Sequence, residues 1–180
     1  MTGKKLIKAL GMIINSGLSV FGDRIGVYEE KGVYYLTNGY VLVRLHEDIP
    51  ELQHTIAPVI ISVFGTENYL RKNSQAEKIK EPIPSQKEMR YLIKLAAERQ
   101  TTETLIWVLS DGTTINAHYL CDLLNAFPRL VIYKHDNSRR TNPVVFSKNT
   151  THHEIDGAIL PIIRCRGDKK DYIKLNDYWQ

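Results

Sequence analysis

Apolar residues first recur at helical spacing. Leu6, Ile7, Leu10, Ile13 and Ile14 step by three and four, with Lys4, Lys5 and Lys8 on the opposite face. Thr2 stands ready to cap this segment and Gly17 to close it, which predicts a first amphipathic helix. The period then changes. Residues 24–30, 32–37 and 40–45 are short runs rich in Val, Ile and Tyr, separated by Lys31-Gly32 and Asn38-Gly39. Two-residue separations of this kind need positive φ and mark hairpins, so three antiparallel strands in a meander are expected. Residues 57–64 are a candidate fourth strand.

Residues 66–84 lose the apolar pattern. Asn, Ser, Gln, Lys and Glu dominate, Pro82 and Pro84 end the stretch, and a surface loop or poorly ordered insertion is expected. Ser85 with Glu88 three positions on is a capping box, and Met89, Leu92, Ile93 and Ala96 follow as an apolar stripe. Lys87, Arg90 and Lys94 form a basic stripe on another face of this second helix. Thr104 to Leu109 reads as a strand and Asp111-Gly112 as a turn. Asn116 caps a third helix carrying Leu120, Leu123, Leu124 and Phe127, which Pro128 stops. Runs at 130–133, 144–147 and 155–163 then predict three more strands.

The order is helix, meander, insertion with a helix, strand, helix, meander. The first and last parts repeat one pattern, a helix followed by three strands, without repeating its residues. Strands grouped in meanders beside segregated helices predict an α+β fold and not a doubly wound parallel sheet. The 180 residues, 43% of them hydrophobic, suffice for one core. A single domain over 1–165 is expected, with an insertion at about 50–100 and a C-terminal tail at 166–180.

The charge adds little. Twenty-four basic against twenty acidic residues leave +4, a mild excess that fits a solvated surface as well as a nucleic-acid partner. No apolar run reaches the roughly 18 residues of a membrane span, and no leader pattern opens the chain. These features predict a cytoplasmic protein whose two cysteines, Cys121 and Cys165, stay reduced.

Two stretches carry a family resemblance. Ile115-Asn116-Ala117-His118-Tyr119-Leu120-Cys121-Asp122-Leu123-Leu124-Asn125-Ala126-Phe127 resembles the "N-x-x-Y-L-x-D-x-L-x-A-L" helix in the last domain of bacterial DNA sliding clamps. Ala158-Ile159-Leu160-Pro161-Ile162-Ile163-Arg164 resembles the closing "V-M-P-M-R-L" strand of that domain. The Thr37-Asn38-Gly39-Tyr40 turn is similar to the clamp "T-D-G-H" turn, with Asn for Asp. The resemblance covers roughly residues 4–47 and 104–165, and implies a DNA-clamp-like domain of two helix-plus-meander repeats with an inserted helix.

By resemblance, such a protein does no covalent chemistry and uses no cofactor. It holds duplex DNA by phosphates, and DNA polymerase or other replication proteins dock on it. The DNA-binding candidates are Lys4, Lys5 and Lys8 on the first helix and Lys87, Arg90 and Lys94 on the second. The third helix offers Asn116, His118, Asp122 and Asn125, and no fixed positive charge. Leu160, Pro161 and Ile162 align with the strand that lines the clamp's peptide pocket. Bacterial clamps resemble three such domains in one chain. A ring from this one would be a homo-oligomer of about six copies joined edge to edge. The reduced size implies a phage or mobile-element processivity factor. The alternative is a protein-interaction module that keeps the clamp fold without a ring or DNA.

Enzyme readings find little footing. His152-His153-Glu154 is the one tight group of metal-ligand types, and adjacent histidines in a strand face opposite ways. The two cysteines lie far apart, and no nucleotide-binding or nucleophile-elbow glycine motif occurs.

Overall fold

The computed structural model describes residues 3–16, 24–56, 65–73, 78–98, 104–135, 142–149, 154–163 and 172–179. Four α-helices are described: α1 (Gly3–Asn15), α2 (Thr66–Lys72), α3 (Gln86–Ala97) and α4 (Ala117–Ala126). The first meander is β1 (Gly26–Glu30), β2 (Val33–Thr37) and β3 (Val41–Leu45), and the second is β7 (Val131–His135), β8 (Val144–Ser147) and β9 (Gly157–Ile159). Between them lie β4 (Lys78–Glu81), β5 (Thr104–Val108) and β6 (Thr114–Asn116). β10 (Tyr172–Lys174) and a 3-10 turn (Leu175–Tyr178) follow.

The α+β class is observed. The two meanders join edge to edge through antiparallel pairing of β3 with β9, in a seven-stranded sheet of order β1-β2-β3-β9-β8-β7-β4. A second sheet, β10-β5-β6, pairs β10 parallel to β5.

Strand alternation sorts the large sheet's residues into two faces. Val27, Leu36, Val43, Ile132, Phe146 and Ile159 join the main core with α1, α3 and α4. Tyr28, Tyr35, Leu42, Val145 and Ala158 point the other way and form a smaller cluster under α2. The sheet is therefore covered on both sides, by α1, α3 and α4 on one face and α2 on the other.

The polar stretch at 66–84 is not an unstructured loop: it holds α2 and β4. Its hold on the sheet is largely polar, which is why hydrophobic periodicity does not announce it. Tyr28 Oη and Thr66 Oγ1 are 3.0 Å apart, and Glu30 accepts from the Thr66 amide at 2.7 Å. Glu67 takes Arg44 through two oxygens and accepts from the Tyr35 hydroxyl. Burial, and then the Glu67 carboxylate, push the Tyr35 phenol well above its ordinary range.

The predicted strand at 155–163 is cut to Gly157–Ile159 because Pro161 has no N–H to continue the ladder. The chain crosses instead to the second sheet. The Leu160 amide donates to Tyr40 O, and two residues later the Ile162 amide donates to Thr114 O, both at 2.8 Å. Buried Lys134 also ties the sheets, pairing with Asp111 of the β5–β6 turn and with Glu81 of β4. From the tail, Ile173 and Leu175 enter the main core, and Trp179 packs edge-on against Trp107 at 5.1 Å. The candidate strand at 57–64 and the His152-His153 pair lie outside the described residues.

Candidate nucleic-acid interface

Three helix faces are fixed by what they bury. On α1, Ala9, Leu10, Ile13 and Ile14 turn inward, which leaves Lys4, Lys5 and Lys8 exposed. On α3, Ser85 accepts from the Glu88 amide and Glu88 reaches back to the Ser85 amide, the predicted capping box. That start sets Met89, Leu92 and Ala96 into the core and leaves Lys87, Arg90 and Lys94 exposed. On α4, the Asn116 side chain accepts from the His118 amide, and His118, Asp122 and Asn125 remain on the outer line.

α4 packs between α1 and α3. Asn125 marks where the three outer faces meet. Its Nδ2 donates to Met12 Sδ of α1 at 3.8 Å, and its Oδ1 accepts from Arg90 Nη2 of α3 at 3.2 Å. Lys5, Lys8 and Met12 share one line of α1, since they recur at steps of three and four. Lys87, Arg90 and Lys94 do the same on α3. The six predicted cations therefore form two rows flanking the polar outer line of the central helix. Helix axes pack about 8–10 Å apart, so the rows stand on the order of 16–20 Å from one another.

The centre of this surface carries a negative group in an unfavourable place. Desolvation raises the Asp122 carboxyl to about 6, with Arg90 acting in the opposite direction. A raised folded value means that the contribution to stability is present below the unfolded value and lost as pH rises through about 6. Asp122→Asn is therefore expected to raise the melting midpoint at about pH 7.5, by about 2–4 °C after allowing for solvent around a partly buried group, and to do little at about pH 4. Thermal unfolding at the two pH values checks it, and an equal gain at both would show that the charge is not the cause.

The other candidate surface is the crossing segment. Leu160 is 37% exposed and Ile163 59%, while Pro161 and Ile162 are half-buried. The Leu160 amide bonds to the backbone carbonyl of Tyr40, whose ring is stacked on Tyr119 of α4 with centroids 5.6 Å apart. Sequence reading missed Asn125 as the meeting point of three helices, a role invisible without their packing. It also passed over Tyr91, whose place among Lys87, Arg90 and Lys94 was readable from spacing alone.

Among the described residues, no group of three or more His, Cys, Asp or Glu is placed to hold a metal ion. No helix among them is long and apolar enough to cross a membrane. Comparisons with protein-family models, with curated proteins and with solved structures returned no match.

Proposed function

We propose that this chain is a non-catalytic, clamp-like accessory protein that lays its α1-α4-α3 layer on duplex DNA. The carrying observation is the two exposed basic rows on either side of α4, Lys4, Lys5 and Lys8 against Lys87, Arg90 and Lys94. Rows of flexible cations hold phosphates without reading bases, the contact a processivity factor requires. The sliding-clamp resemblance gains support from the matching halves, each a helix followed by an antiparallel meander, with the opening helices α1 and α4 packed together.

One observation favours the reading without a ring. The outer edge of β1 is occupied by the chain itself. The Val27 amide donates to Gln53 O and the Thr55 amide to Val27 O, both at 2.7 Å, forming a short parallel bridge. A neighbouring protomer cannot pair there without displacing it. In this reading the chain acts as a single clamp-like domain. Leu160, Pro161 and Ile162, with exposed Ile163, are then the docking surface for a polymerase or another replication protein.

Light scattering is expected to give the monomer mass of 20.7 kDa. Fluorescence anisotropy with duplex DNA is expected to show affinity falling with salt, with a log–log slope of about −5 for six phosphate contacts. Lys5→Glu with Lys8→Glu, and separately Lys87→Glu with Lys94→Glu, should each flatten that slope. Absence of duplex binding at low salt, or charge reversals without effect, would remove the DNA-binding reading.

A further inference from the structure

The α3 row contains a residue that duplex binding does not use. Tyr91 is 65% exposed and borders the basic stripe, on one face with Lys87 four residues before it and Lys94 three after, while Arg90 lies about 100° round the helix on the side of the central helix. The capping box and buried Met89, Leu92 and Ala96 fix this face outward. Side chains on a helix lean toward its N terminus, so the Tyr91 ring lies over the Lys87 turn with a cation about one turn away on either side. Phosphates of an intact duplex gain nothing from such a ring, because the duplex keeps its base faces stacked inside. Unpaired bases do gain, since every base offers a face to an aromatic side chain.

We propose that α3 carries a single-stranded nucleic-acid site, in which Tyr91 stacks on an unpaired base while Lys87, Arg90 and Lys94 hold the flanking phosphates. The site rests on the DNA-binding reading and deepens it: the preferred ligand is DNA with a single-stranded part, such as a junction between strand and duplex. Charge selects the polyanion, and the ring selects its unpaired segment. Arg90 is held in place by Asn125, so the stripe is anchored to the central helix at its midpoint.

The test uses the full chain and three probes: a thymidine oligonucleotide of about fifteen residues, a duplex of equal length, and polyglutamate, which has charge without bases. The oligonucleotide is expected to bind more tightly than polyglutamate at equal salt. Tyr91→Ala should weaken oligonucleotide binding about 10-fold and duplex binding less than about twofold, and Tyr91→Trp should restore the first. Circular dichroism checks that both variants keep the fold. Equal weakening for all three probes, or none for the oligonucleotide, would overturn the stacking site, while duplex binding by the unaltered protein would leave the DNA-binding reading standing. Loss of every interaction in the unaltered protein would instead overturn the DNA-binding reading beneath it.

Discussion

Replacing Gly157 by alanine is expected to unfold the protein or bring it to the edge of unfolding. Gly157 lies between Val43 of β3 and Phe146 of β8, at the joint of the two meanders. An added Cβ would stand 2.1 Å from Leu42 O and 2.3 Å from the Cζ of Phe146. Neither neighbour can yield. Leu42 O is backbone in the middle of the sheet, and the Phe146 ring is completely buried in the main core. Ordinary overpacking costs about 1–3 kcal/mol, and a backbone clash exceeds it, against a total stability of about 5–15 kcal/mol. Urea denaturation measures the loss. Gly3→Ala is the control, because nothing lies within 4 Å of its Cβ position and its helical site favours alanine. Equal midpoints for the two variants would mean that the joint is looser than described.

Asn38→Asp, which changes one atom of the side chain, is expected to cost about 3 kcal/mol at about pH 7.5, lowering the melting midpoint by about 6–12 °C. Asn38 is fully buried, and its amide is used in both senses. Oδ1 accepts from the amides of Tyr40 at 2.9 Å and Val41 at 2.7 Å, and Nδ2 donates to Ile13 O at 3.0 Å and Ser16 Oγ at 3.1 Å. A carboxylate keeps the turn bonds and loses both donors, facing the carbonyl of Ile13 in a dry site. Protonation returns one donor, so the loss should shrink toward about pH 4. A midpoint within about 2 °C of the original at both pH values would sink the assignment.

That residue also shows what the sequence could and could not say. The Asn38-Gly39 pair was readable as a hairpin turn, and Gly39 does adopt a φ of 88°. Read beside the clamp turn, Asn in place of Asp looked interchangeable. The structure supplies a reason for the amide, because the β2–β3 turn is bonded to the last turn of α1, and only an amide can donate to that helix while accepting from the turn. Turn chemistry is local and legible, whereas a tether across more than twenty positions is not.

The same division runs through the rest of the molecule. The helices at α1, α3 and α4 declared themselves by caps and by apolar spacing of three and four, and seven strands by short apolar runs bounded by turn residues. α2 and β4 did not, because a short polar helix held by Arg44, Tyr28 and Tyr35 has no periodic signal of its own. β6 and β10 span three residues each, too few for alternation to register. At the candidate site, the six cations were readable by period. Their arrangement about Asn125 was not, since it depends on three helices meeting.

The joint at β3 and β9 bears on how the chain reaches its fold. Each meander closes through neighbouring strands, and such pairs form early because the loop to be closed is short. Val41 meets Ile159, however, only after more than a hundred intervening residues have been placed. Assembly therefore commits late: two locally ordered halves wait for one long-range seam. During synthesis from the N terminus, β3 stays an open edge until β9 emerges, so the first half is most exposed to mispairing while the second is still being made.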